Sequence, residues 1–176
     1  MNTVEKMTWK LYAATTILAA TGIILLSWSV HANQYVSTDG LGGAFSTLLL
    51  GFVAYAFVWS LCALLLTAPR LRLLNNKRLL NAGIRITFDL IAFLGLVICA
   101  GWMSYIVELV PGCSYRESSC LEGQVRIVEG VSSGIAFVDA ILHFVGFVVA
   151  CMDCHREKKG RKLRREGVKD GSIEMD

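Results

Sequence analysis

Asp89, Asp139 and His143 are the residues whose surroundings most demand an account, because each interrupts a stretch that is otherwise apolar. An acidic side chain near the centre of a bilayer costs about 2.5–3.5 kcal/mol even on the lenient insertion scale, so such groups must face protein. Asp139 and His143 are four residues apart and share one helical face. Counted from the basic ends of their stretches, Asp89 lies roughly 9 Å and His143 roughly 14 Å deep at ~1.5 Å per residue, which brings them within reach of each other. Arg85, four residues before Asp89, is a nearer partner: its stem can snorkel to the headgroups while its guanidinium meets the carboxylate. Two chemistries fit these residues. One is a proton or substrate pathway; the other is polar adhesion that fixes how two helices pack. The packing reading is favoured, since no pair of Gly/Pro-interrupted half-helices is present and the only prolines, Pro69 and Pro111, fall in connections.

The six cysteines occupy three settings. Cys62 and Cys99 lie within apolar stretches. Cys113 and Cys120 stand in a turn-rich segment with Pro111, Gly112, Ser114, Ser118 and Ser119, and are expected to form a small-loop disulfide, the alternative being two free thiols. Cys151 and Cys154 sit where an apolar stretch meets a basic one, the setting of S-palmitoylated cysteines, with unmodified thiols as the other reading. Metal binding by these two and His155 is not expected, because a structural zinc site takes four ligands and no second Cys or His pair exists. Beyond them Arg156, Lys158, Lys159, Arg161, Lys162, Arg164 and Arg165 form a polybasic run with Glu157 as its only acid. Near an anionic leaflet each such charge contributes about 1 kcal/mol, so the run reads as a lipid-headgroup surface or as a solvated topology signal. Nucleic acid is not an expected partner, since no aromatic is interleaved to stack on bases.

The elements that must carry these groups follow from the charge-free gaps. Hydrophobic residues make up 55% of the 176 and charged residues 18%, below the ~25% of soluble domains. Gaps between charges of 20 residues (Lys10 to His31), 30 (Asp39 to Arg70), 22 (Arg85 to Glu108, broken by Asp89) and 23 (Glu129 to Asp153, broken by Asp139) match the ~20 residues a helix needs to cross lipid. The expected fold is an all-α integral membrane four-helix bundle with spans at about 9–30, 43–67, 84–109 and 131–152, after an N-terminal segment 1–8 and before a disordered basic tail 153–176. Fifteen of the 17 Lys and Arg fall on one side and only Arg116 and Arg126 on the other, so both termini are expected in the cytoplasm. Lys6 and Lys10 before the first apolar run also resemble a signal peptide, but that run exceeds the usual ~7–15 residues. Small residues at four-residue spacing, Gly43, Thr47 and Gly51 on span 2 and Gly130 and Gly134 on span 4, are expected to let backbones approach, within the bundle or in a second copy.

This layout resembles the MARVEL-domain family, particularly its small fungal members: a short first outer loop, a basic inner loop, a second outer loop with Cys113 and Cys120, and a polar tail. The nearest local match is Arg85-Ile-Thr-Phe-Asp-Leu-Ile-Ala-Phe-Leu-Gly at the start of span 3. The resemblance implies a role in lipid-domain organisation, membrane apposition or vesicle traffic, in the plasma membrane or the secretory pathway. The resulting expectation is a non-enzymatic organiser without cofactor, acting on anionic inner-leaflet lipids and on other membrane proteins or further copies of itself. The alternative is a small proton-linked transporter or channel using Asp89, Asp139 and His143.

Overall fold

In a computed structural model of the protein, residues 3–36, 41–67, 82–109 and 119–170 are described, and each segment is one helix: α1 (Thr3–Val36), α2 (Leu41–Thr67), α3 (Ala82–Leu109) and α4 (Ser119–Asp170). Side chains are described over 7–32, 46–66, 83–105, 123–156 and 158–159. No strand occurs among the described residues. Pro69 and Pro111 follow the ends of α2 and α3 by two residues, where their missing N–H and the restriction they place on the preceding residue end a helix.

All four helices are long and apolar enough to cross a membrane, over Met7–Ala32, Ser46–Leu66, Gly83–Tyr105 and Gly123–Arg156. They pack as a ring in which α1 touches α2 and α4, and α3 touches α2 and α4. Arg85 at the start of α3 bonds Tyr12 near the start of α1 and pairs with Asp153 in α4, while Ser29, Ser46 and Glu129 meet at the opposite end. The helices therefore alternate in direction, and the chain enters and leaves at the same end of the bundle, here called the terminal end.

The polarity of the bundle is the reverse of a water-soluble one. Ile17, Ile24, Leu48, Val58, Ile98, Ile127 and Ile141 point outward, whereas Asp89, Asp139, His143, Ser29, Ser46 and Ser60 are buried. Such an arrangement suits lipid as an outer solvent, which accepts apolar side chains and penalises polar ones. Hydroxyls within the spans also bond back along their own helix: Thr16 and Thr21 donate to the carbonyls of Tyr12 and Ile17, and Ser132 to that of Val128.

Two boundaries differ from expectation. The second outer connection was expected to run to Gly130, but α4 begins at Ser119. The basic tail, expected to be disordered, continues α4 as helix to Asp170. Lys, Arg and Glu are good helix formers, and a segment prolonging a formed helix escapes the nucleation cost that an isolated peptide meets.

Candidate functional site

The core contains two polar layers with an apolar layer between them. The layer at the terminal end is centred on Asp89, which is fully buried. Tyr12 donates its hydroxyl to Asp89 Oδ2 at 3.0 Å, and Trp59 donates its indole N–H to Oδ1 at 2.7 Å. His143 Nδ1 lies 3.1 Å from Oδ1. His143 Nε2 lies 3.5 Å from Ser60 Oγ and so faces α2. Asp89 thus binds one side chain from each of the other three helices. The space it occupies depends on Gly146, where a Cβ would stand 3.0 Å from Oδ2. The Trp59 ring is held by stacking on Phe88, with centroids 4.5 Å apart.

Arg85 closes this layer toward the surface. Its Nε donates to the Tyr12 hydroxyl at 3.4 Å, its guanidinium carbon sits 5.8 Å from the Tyr12 ring centre, and Nη1 is 3.7 Å from Asp153 Oδ2. The expected direct pair of Arg85 with Asp89 does not form. Tyr12 stands between them, accepting from the guanidinium and donating to the carboxylate, so the ion pair is relayed through a phenol.

The layer at the far end is centred on Glu129, whose Oε1 accepts from Ser46 at 2.8 Å and from Ser29 at 3.0 Å. Beside it Ser133 donates to the Ala100 carbonyl at 3.0 Å; its one proton being used there, Ser104 is the donor in the 2.7 Å contact between the two hydroxyls. Glu129 precedes the expected start of span 4, yet it is buried on α4. The signal that could have found it is the spacing 129, 132/133, 136, 139/140, 143, which continues the inward face of α4 past the expected helix start.

Between the layers every buried position is small or apolar: Ala19, Gly22 and Leu26 on α1, Leu49, Val53 and Ala56 on α2, Ala92, Gly95, Leu96 and Ala100 on α3, and Ala136 on α4. Gly95 is required there, because a Cβ would overlap the Phe52 ring. Asp139 borders this layer one helical turn beyond His143. It is 1% exposed, and neither carboxylate oxygen has a hydrogen-bond partner.

Of the other residues singled out from sequence, Thr47, Gly51, Gly130 and Gly134 lie on exposed faces, and a Cβ at any of the three glycines would meet nothing within 4 Å. They do not mediate packing within the bundle; Gly22, Gly95 and Gly146 take that part, each with a neighbouring side chain against the missing Cβ. Gly43 lies in the first turn of α2, outside the residues whose side chains are described. Cys151 and Cys154 are half-buried free thiols at the terminal end. Cys151 lines an open groove with Phe147, Val148, Met152, His155 and Arg156. Arg156, Lys158 and Lys159 are exposed; Arg161, Lys162, Arg164 and Arg165 lie on α4, with side chains outside the described set. The same holds for Cys120, and Cys113 lies outside the described residues altogether, so their pairing remains an expectation. Among the described residues no group of three or more His, Cys, Asp or Glu could hold a metal ion. No protein-family model matches the chain, and no curated protein or solved structure is similar to it.

Proposed function

We propose that the protein is a non-enzymatic membrane organiser that acts through lateral contacts, in the manner of the MARVEL-domain proteins its layout resembles. The observation that carries this reading is the outward placement of Gly51, Gly130 and Gly134 on an apolar surface, while the polar side chains are spent inside the bundle on one another. A lipid-facing glycine lets a neighbouring helix come close, and in lipid such close approach, not hydrophobicity, drives association. The basic bias supports cytoplasmic termini. There acylation of Cys151 and Cys154 beside the apolar groove, together with Arg156, Lys158, Lys159 and the basic residues that follow, would hold the protein to anionic inner-leaflet lipid of the plasma membrane or secretory pathway. On the other side a Cys113–Cys120 bridge would constrain the second loop.

The test is lateral association of the full chain, donor- and acceptor-labelled, in vesicles at low protein density. Gly130→Leu with Gly134→Leu is expected to abolish energy transfer between copies, while replacing the seven basic residues is expected to remove the preference for anionic lipid. Unaltered transfer in the double leucine variant would sink the lateral-contact reading. A proton-linked transporter is the second reading, favoured by the burial of Asp89, Asp139 and His143. Against it stands the apolar layer, where the buried residues described on α1, α2 and α3 are small or apolar. Proton or solute flux in the same vesicles that is lost in Asp89→Asn would support transport over organisation.

A further inference from the structure

Cys151 and Cys154 are both half-buried free thiols at the terminal end of α4, yet their surroundings differ. Cys151 opens on a groove whose other walls are Phe147, Val148, Met152, His155 and Arg156, and Cys154 takes no part in it. Those positions recur at four-residue spacing, so they form one outward stripe of the helix. His155 lies one turn after Cys151. Side chains on a helix lean toward its N-terminus, which carries the imidazole back over the thiol, and Cβ atoms so spaced stand about 5–6 Å apart. The residues one turn from Cys154 are Ala150, Cys151, Glu157 and Lys158, with no histidine among them. Asp153, the acid between the two cysteines, is turned to Arg85 on α3.

The stripe is also ordered along the helix axis. Phe147 and Val148 are apolar, Cys151 stands about 6 Å beyond Phe147 and His155 about 6 Å beyond Cys151, and the exposed Arg156, Lys158 and Lys159 come next. An acyl-coenzyme A has the same order: an apolar chain, a thioester, then an anionic phosphorylated head. We propose that Cys151 takes a fatty acyl group directly from a long-chain acyl-coenzyme A, with His155 as its base. The chain lies along Phe147, Val148 and Met152, the thioester meets the thiol, and the phosphates meet Arg156 and Lys158. A thiolate is the nucleophile that such a transfer needs, and an adjacent base supplies it. His155 accepts the Cys151 proton as Sγ attacks the thioester carbonyl. A C–S bond forms to Cys151, the C–S bond to coenzyme A breaks, and His155 returns the proton to the departing thiolate. No electron is transferred. Each chain reacts once, which agrees with a non-enzymatic organiser, and the proposal rests on the reading that the terminal end is cytoplasmic and acylated.

The test uses the full chain in phosphatidylcholine nanodiscs, which leave both faces open, with palmitoyl-coenzyme A and no acyltransferase. A hydroxylamine-labile palmitoyl group should appear on Cys151 by peptide mass mapping. Cys154 is the internal control: it lies at nearly the same depth without a histidine one turn away, and should react about 100-fold more slowly. His155→Gln should bring the Cys151 rate down to that of Cys154, and Arg156→Gln with Lys158→Gln should raise the acyl-coenzyme A concentration at half-maximal rate several-fold. Equal rates at the two cysteines, or a Cys151 rate unmoved by His155→Gln, would overturn the assignment of His155. No transfer in nanodiscs, while the chain recovered from cells carries palmitate on Cys151, would overturn self-acylation and leave the acylation reading standing. A chain recovered from cells with both cysteines unmodified would sink that reading itself, whatever happens in nanodiscs.

Discussion

Around Asp89 the core gathers a phenol, an indole and an imidazole from three helices, whereas Glu129 at the opposite end is met by the hydroxyls of Ser29 and Ser46. Large donors reach a carboxylate from a distance and in a fixed direction, so they dictate how the helices are rotated. They also need room, which Gly146 supplies. Serine reaches only a short way, so it demands that the helices come close but says less about their rotation. The terminal-end layer is therefore the part of the molecule that specifies a single arrangement of four helices, and the far-end layer the part that brings them together. The lesson for an apolar bundle is that the reach and direction of the donors that meet an acid, more than the acid itself, decide how much of the fold depends on it.

The largest effect that sharpens this comparison is expected from Asp89→Ala. It strands the Tyr12 hydroxyl, the Trp59 indole and His143 in the core, and removing one partner from such a buried set costs about 3–5 kcal/mol. Reversible unfolding in mixed micelles would measure it. Glu129→Ala should cost less, about 1–3 kcal/mol, since serines can turn back to a carbonyl on their own helix as Ser132 does. Equal losses in the two variants would break the distinction between the layers. Smaller again is the glycine contrast: Gly146→Ala pushes a methyl toward Asp89 and is expected to cost about 1–2 kcal/mol, while Gly130→Ala meets open space and should change monomer stability by no more than about 0.5 kcal/mol.

Much of this was readable in the sequence, and the misreadings have physical causes. Charge-free gaps report span number directly, because lipid thickness sets their length, and the depth of Asp89 and His143 was enough to bring them together. What depth cannot report is competition from other helices. Arg85 looked like the partner of Asp89 because spacing along one helix is visible, while Tyr12 and Trp59 arrive from α1 and α2, and nothing in their spacing announces it. The small residues were found but their direction was not, since Gly51 and Gly95 look alike until the neighbouring helix is in place. Glu129 escapes notice because a helix longer than its charge-free stretch hides its first turns among loop residues, and the basic run at the other end of α4 looks like a tail for the corresponding reason.

The smallest expected effect is also the one that separates the two buried aspartates most cleanly. Asparagine has nearly the shape of a protonated aspartic acid but presents one acceptor oxygen and one amide group. At position 89 that amide must face either the Tyr12 side or the side where both Trp59 and His143 approach, so Asp89→Asn loses at least one good hydrogen bond and should cost about 1–3 kcal/mol. At position 139 there is no donor to offend. Asp139→Asn keeps the size of the side chain and strands no partner, so stability should fall by no more than about 0.5 kcal/mol. The two substitutions change the same atoms at similar burial, so a difference between them measures the donors around each aspartate and little else. A loss at Asp139 as large as that at Asp89 would mean that its carboxylate is ionised and supported, and the contrast drawn here between a partnered and an unpartnered acid would not stand.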